Sequence, residues 1–284
     1  MKYTVLGSAG QIGKHLTHHL RSLGHTVTEF DIKAAPFQDL RIDYAVDSYL
    51  EDSDFVFFLA FDVGGSQYLK KYQSTFDFVD NNVRLMANTF RALKELNKPF
   101  IFASTQMSNM HFSSYGTLKS VGEHYCKVLN SPIVKFWNVY GVETDPEKTH
   151  VITDFVKMGL QGRITMKTRG DEERQFLYAV DCCDALYTLS QQYEKLSRLS
   201  EYHVTTFEWI KIREIAEVIA SQCGGATIVP SPEEDTVQGG QRNEPDNFIL
   251  NQGIWQPKTT IAQGISRIVA YEKMKLDEAQ PKTP

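Results

Sequence analysis

Short apolar runs alternate along the first half of the chain with longer stretches in which apolar residues recur every three or four positions. Tyr3-Thr4-Val5-Leu6 predicts a buried first strand. Ile12, Leu16, Leu20 and Leu23 then follow at helical spacing, with Gly24 placed as a stop. Thr26 to Phe30 predicts a second strand ending at Asp31. Asp54 to Ala60 is a continuous apolar run, as expected of a parallel strand covered on both faces. Phe76, Val79, Val83, Met86, Phe90 and Leu93 are spaced for one buried helical face. Pro99 to Ala103 predicts the next strand, a helix runs from about Ser114 to Leu129, and Ile133 to Trp137 predicts another strand. That succession predicts an α/β fold with a doubly wound parallel sheet, the Rossmann arrangement. No internal repeat or low-complexity segment interrupts it.

The first turn of this pattern carries candidate chemistry. Gly7-Ser8-Ala9-Gly10-Gln11-Ile12-Gly13 lies between the first strand and the first helix. Gly7, Gly10 and Gly13 allow a tight turn, a close backbone approach to a pyrophosphate, and close helix–strand packing. The helix N-terminal amides then face the anion. Asp31 falls at the end of the second strand, roughly 20 residues past the glycines, where a carboxylate accepts both ribose hydroxyls and repels a 2′-phosphate. The expected cofactor is therefore NAD; Lys33 works slightly against that preference.

From about Gly141 the rhythm breaks. Glu143 to Glu147 reads as a loop, Ile212 to Ile219 as a small amphipathic helix, and Pro230 to Gly240 as a Pro/Gly/acid-rich loop. The expectation is an NAD-binding Rossmann domain over residues 1–141, with returning segments near 175–181 and 203–207. Residues 142–276 form a smaller α/β substrate region over the C-terminal edge of the sheet, and 277–284 a disordered tail.

Composition adds limits. The chain has 284 residues, 42% of them hydrophobic, and a net charge of −5. Such mild acidity, without a basic stripe, argues against nucleic acid. The apolar run Phe55–Phe61 is too short to cross a membrane, and Met1-Lys2 leads straight into a strand, leaving no room for a signal peptide. Cys126, Cys182, Cys183 and Cys223 show no CxxC spacing, so a reducing cytoplasm is the expected setting. His15, His18 and His19 share a helix, but no carboxylate or cysteine stands nearby at ligand spacing, so no metal site is expected.

Tyr115 and Lys119 lie one helical turn apart on one face. A lysine ammonium beside the phenol, together with a cationic nicotinamide, would bring its pKa toward neutrality. Tyr115 then takes a proton from a hydroxyl as hydride leaves. Tyr271 and Lys275 repeat the spacing, but only Tyr115 opens the helix after a central strand ending in Ser104-Thr105. A hydroxyl there either bonds the reacting oxygen or caps the following turn.

At these residues the chain resembles the extended short-chain dehydrogenase/reductases, specifically the NAD-dependent nucleotide-sugar epimerases and dehydratases. The resemblance spans nearly the whole length: residues 7–13, Asp31, Asp39-Leu40, Leu59-Ala60, Asn82-Val83, Ser104-Thr105, Tyr115 to Lys119, Glu123, Phe136 to Gly141, Arg174 to Asp181, and Trp255-Gln256-Pro257. It implies cofactor contacts at Gly7, Gly10, Gln11, Ile12, Gly13, Asp31, Asp39, Leu40, Leu59, Ala60, Asn82, Tyr115 and Lys119, and catalysis by Tyr115, Lys119, Thr105 and Ser104. It places a nucleotide-diphosphate sugar against Gly64, Gly65, Asn138, Arg174 and Arg242. For Arg174 the competing reading is an ion pair with Asp171, Glu172 or Glu173. A homodimer is also implied, pairing helices near 76–96 and 114–129, with Phe78, Val79 and Met86 as seam candidates.

Two departures narrow the reaction. Family dehydratases carry Asp-Glu after the threonine; here Gln106 and Met107 stand there, which argues against a 4,6-dehydratase. Asp62-Val63-Gly64-Gly65 is similar to the loop of GDP-sugar 3,5-epimerases and fucose synthases, yet their cysteine near position 107 is also replaced by Met107. Only ten positions separate Thr105 from Tyr115, about half the family's usual spacing. The expected activity is epimerisation by transient hydride transfer at a sugar hydroxyl, at C4, with recycled NAD. The alternatives are a nucleotide-sugar 4-keto reductase or dehydrogenase, and a dinucleotide-binding regulatory protein.

Overall fold

The computed structural model describes residues 1–235 and 243–279. Strands β1 (Lys2–Leu6) and β2 (Thr26–Phe30) flank helix α1 (Gln11–Ser22). A short α2 (Asp47–Leu50) precedes β3 (Phe55–Phe58), and α3 (Ser66–Tyr72) and α4 (Phe76–Glu95) lead to β4 (Phe100–Thr105). Next come α5 (Ser114–Val128), β5 (Ile133–Phe136), β6 (Asn138–Tyr140), α6 (Val151–Leu160), β7 (Arg163–Thr165), β8 (Glu173–Arg174) and β9 (Phe176–Tyr178). Helix α7 (Ala179–Gln191), β10 (Glu201–Val204), β11 (Ile210–Lys211), α8 (Ile212–Gln222), β12 (Thr227–Val229), α9 (Phe248–Asn251) and α10 (Ile261–Ala279) complete the chain.

Six strands form one parallel sheet in the order β10-β5-β4-β3-β1-β2. The order reverses between β1 and β3, and a crevice opens there beyond the strand C-termini. Register aligns those ends: Leu6 stands beside Phe30 and Phe58, Phe58 beside Phe102, and Thr105 beside Phe136.

The continuous apolar strands follow from burial on both faces. Phe55 and Phe57 enter a core with Leu16, Leu20, Cys182 and Leu186 beneath α1 and α7. Val56 and Phe58 enter the opposite core with Phe78, Met86, Phe90 and Leu118 beneath α4 and α5. A third core, around Ile152, Phe155, Ile164, Ile215, Ile219 and Ile265, belongs to the smaller C-terminal region. Of the later strands, β9 pairs with β6 in a two-stranded sheet of its own, and β10 adds the main sheet's last strand beside β5. The expected disordered tail is helical at its start, because α10 runs through Asp277 to Ala279; residues 280–284 lie outside the described residues. Among the described residues no helix is long and apolar enough to cross a membrane.

Candidate active site

The glycine turn has the backbone its sequence demands. Gly7 sits at φ +88°, and a Cβ there would meet Ala60 N at 2.6 Å and the Leu59 carbonyl carbon at 3.0 Å. At Gly13 a Cβ would stand 2.1 Å from the Gly7 carbonyl oxygen, so this glycine lets α1 pack against the turn. A Cβ on Gly10 would meet only Gly7 O, at 3.2 Å. Gly10 caps α1 without a side-chain hydrogen bond, and the first helical turn contains no acidic residue. Its amides and its positive dipole end are thus left for an anion. Asp31 Oδ2 accepts the Ala9 N–H at 2.9 Å and Oδ1 the Lys33 N–H at 2.8 Å, fixing the carboxylate beside the turn. These residues fit the pyrophosphate and ribose of a dinucleotide.

A cleft of about 890 Å³ runs from this turn, past Asp31, Asp39, Leu40, Leu59 and Ala60, to Thr105, Tyr115 and Lys119, and on to Asn138 and Arg174. Gly64 and Gly65 line it too, because the segment before α6 presses against them. A Cβ on Gly65 would meet Thr149 O at 2.2 Å, and one on Gly64 would meet Lys148 Cα at 3.1 Å.

Tyr115 opens α5, whose N-cap Ser113 accepts the Gly116 N–H at 3.2 Å. The short link from Thr105 closes as a 3₁₀ turn, Gln106–Asn109, packed so tightly that a Cβ on Gly116 would lie 2.2 Å from Met107 O. Thr105 caps the turn, its Oγ1 accepting the Met107 N–H at 3.3 Å, and it lines the cleft beside Tyr115. Ser104 also lines the cleft, and its hydroxyl donates to buried Glu123 Oε1 at 2.5 Å, which ties β4 to α5.

Lys119 is buried, donates to Ala103 O at 2.5 Å, and lies 3.8 Å from the Phe61 ring centroid. Burial lowers its pKa to about 7, opposed by the negative charge of Glu123. Burial also raises Tyr115 to about 12, opposed by the nearby Thr105 hydroxyl. The lysine therefore does not activate the phenol by contact, contrary to the expectation from spacing. Its ammonium is 5.9 Å from the Tyr115 ring centroid and is committed to Ala103 O.

Behind the cleft runs a buried polar chain. Lys135, 1% exposed, stands 2.9 Å from Glu201 and 3.6 Å from Glu123; His203 contacts Glu201 at 3.3 Å and accepts the Trp137 Nε1–H at 3.2 Å. A lysine in the apolar run Ile133-Val134-Lys135-Phe136 was its one sequence signal.

Other assignments shift. Asn82 is fully buried and outside the cleft: it accepts the Asp62 N–H at 2.8 Å and donates to Phe78 O at 2.9 Å, so it positions the 60–62 segment instead of touching cofactor. Its neighbour Asn81 lines the cleft and accepts from Arg41 at 2.7 Å. Asp39 is chelated by Arg41, whose hydrogen bonds hold its carboxyl below the usual range. Arg174 does form an ion pair, with Asp235 rather than with the acids beside it. Arg242 lies outside the described residues. Of the seam candidates, Phe78 and Met86 are buried in the monomer core, while Val79 is 37% exposed.

The segment between β6 and α6, a loop by its sequence, joins three corners of the cleft. Lys14 donates to Thr144 at 2.8 Å, Lys33 pairs with Asp145, and Lys148 reaches Asp62 at 2.9 Å. Within it, buried Glu143 accepts the His150 backbone N–H at 3.0 Å and meets Nδ1 at 2.5 Å. Burial pushes the Glu143 carboxyl up, but the hydrogen bonds from His150 outweigh it and hold the pKa below normal. Asn243, from the far end of the chain, donates to Gln106 Oε1 at 2.9 Å.

A switch-point crevice with a glycine turn on one side and a Tyr/Lys helix on the other defines a dinucleotide-dependent enzyme of the short-chain dehydrogenase/reductase class. The model of the NAD dependent epimerase/dehydratase family matches residues 3–204, and the chain belongs to that family. GDP-mannose 3,5-epimerase 1 of Oryza sativa subsp. indica is 22% identical, covering 98% of this chain and 83% of its own length. UDP-glucose 4-epimerase of Thermotoga maritima, solved with UDP-glucose, superposes with a TM-score of 0.81 at 18% identity, over 97% of this chain and 100% of that one. The Thermus thermophilus UDP-glucose 4-epimerase–NAD complex gives 0.77 at 22% identity, over 96% and 99%. The cofactor of the family is NAD.

Proposed function

We propose that the protein is a nucleotide-sugar epimerase that oxidises a sugar hydroxyl, at C4, and returns the hydride to the opposite face with NAD recycled. The observation that carries the reading is the placement of Thr105, at the end of β4, with Tyr115 and Lys119 of α5 on the wall of the cleft that contains the glycine turn. NAD bound at the turn supplies the hydride acceptor and, when oxidised, a positive charge beside the phenol. Tyr115 Oη accepts the hydroxyl proton during oxidation and returns it during reduction, and Thr105 holds the same oxygen. Lys119 fixes the α5–β4 geometry through Ala103 O.

On the substrate side the reading places the sugar near Gly64 and Gly65, and the nucleotide diphosphate at Asn138 and Arg174. A diphosphate there displaces Asp235 from the guanidinium and gains bidentate donors in exchange. Neither Gln106 nor Met107 carries a carboxylate or thiol, which favours hydride chemistry at a carbinol over elimination.

In the same reading two copies pair through α4 and α5, where Phe76, Val79, Val83 and Val121 are exposed. Sedimentation equilibrium tests this: Val83→Asp should yield a monomer, and a wild-type monomer at micromolar concentration refutes it. The four unpaired cysteines fit a reducing, cytoplasmic setting.

The central test is Tyr115→Phe, assayed by product analysis on UDP- and GDP-hexoses in deuterated water. Wild type should epimerise without solvent deuterium at carbon, and the variant should lose about 10²–10⁴-fold in turnover while still binding NAD. Deuterium at the inverted carbon, or full activity in the variant, would sink the mechanism.

A further inference from the structure

Two cations stand at the Asp31 end of the cleft, and each is held by an acid. Arg41 gives Asp39 hydrogen bonds from Nε at 2.9 and 3.1 Å and from Nη2 at 2.7 Å, and its Nη1 donates to Asn81. That guanidinium is turned onto Asp39 and Asn81 through three of its five N–H groups. Lys33 is held differently. Its backbone N–H is anchored on Asp31 Oδ1, which stations the residue beside the carboxylate placed at the ribose. Its ammonium pairs with Asp145, which arrives from the segment after β6, 112 residues further along the chain. Lys33 in turn holds the Asp145 carboxyl below its ordinary range.

A ribose 2′-phosphate is close to a dianion, and a site accepts it by presenting an uncommitted ammonium or guanidinium. Here the nearest one is occupied. We propose that Asp145 is a specificity-determining residue for the cofactor, withholding the Lys33 ammonium from the 2′ position. NAD selection is then shared: Asp31 takes the ribose hydroxyls, and Asp145 blocks the cation that a phosphorylated ribose requires. Lys148 also acts on Asp145, but Lys33 is its hydrogen-bonded partner, so removing Asp145 frees the Lys33 ammonium. The arrangement is specificity by exclusion as well as by attraction. It rests on the placement of the adenosine ribose at Asp31.

The experiment compares NAD⁺ and NADP⁺ affinities, by competition calorimetry, for wild type, Asp145→Ala, and Lys33→Met/Asp145→Ala. Asp145→Ala should narrow the gap between the two dinucleotides about tenfold, the effect of one nearby charge at partial exposure. NAD⁺ affinity should stay within about threefold, which also shows an intact fold, and the double variant should restore the wild-type gap. An unchanged gap in Asp145→Ala, or a gain that survives loss of Lys33, overturns the proposal while leaving NAD use intact. Wild type binding neither dinucleotide overturns both this proposal and the proposed function.

Discussion

Gly13→Ala places a methyl carbon 2.1 Å from the Gly7 carbonyl oxygen, 2.8 Å from Ser8 Cα and 2.9 Å from the Gly7 carbonyl carbon. All three are backbone atoms, so no side chain can swing aside. A carbon–oxygen approach is comfortable near about 3.3 Å, and the first turn of α1 must therefore retreat by about 1 Å. Alanine returns about 1 kcal/mol of helix propensity, against about 1–3 kcal/mol for overpacking, so the protein should still fold. The damage falls on binding. Those same first-turn amides face the dinucleotide pyrophosphate, and a hydrogen bond to a charged acceptor contributes about 1.5–3 kcal/mol. Losing one weakens NAD by about 10- to 150-fold, measured calorimetrically beside a thermal scan. Gly24→Ala is the control: at φ +82° with nothing within 4 Å, it costs about 1–2 kcal/mol of backbone strain far from the ligand and should leave NAD affinity unchanged. A folded Gly13→Ala variant binding NAD within about threefold of wild type would refute the close-packing argument.

Lys135→Met strands Glu123 and Glu201 beside a buried apolar side chain; it should cost about 3–5 kcal/mol in chemical denaturation, and a loss under about 1 kcal/mol would show the chain to be dispensable. Lys119, lowered to about 7, supplies a pH signature: between roughly pH 7 and 10 the unfolded chain holds this proton and the folded one does not. Stability of the NAD-free protein should therefore rise with pH in that window relative to Lys119→Met and run parallel to it below. A difference constant from pH 6 to 10 would contradict the burial of that ammonium.

The strands with one apolar run apiece, the glycine turn and the Tyr115/Lys119 face were legible because each is a local pattern. Gly7 needs positive φ and Gly13 needs a missing Cβ, and a sequence states both directly. Partner choice was not legible, since it depends on residues far apart in the chain. Ser104 looked equivalent to Thr105 until Glu123 claimed its hydroxyl. Asn82 and Asn81 differ only in which side of α4 they occupy: Asn82 is buried, and Asn81 lines the cleft. Arg174 found Asp235, 61 residues away, instead of the acids beside it. The apparent loop at 143–147 hid its lysine contacts because Lys14 and Lys33 arrive from α1 and from the end of β2, more than 100 residues earlier.

The last strand of the sheet also has a bearing on how the protein is made. Five strands are complete by Phe136, but β10, which covers the open edge of β5, is not synthesised until Glu201–Val204. Throughout that interval a nascent chain presents β5 as a bare parallel edge, with Lys135 and Glu123 lacking Glu201. Unpaired edges of this kind are where chains join wrongly. The charge on Lys135 is a natural gatekeeper for that period: it makes the edge a poor template for a neighbouring chain, then becomes a buried pairing partner once β10 closes the sheet.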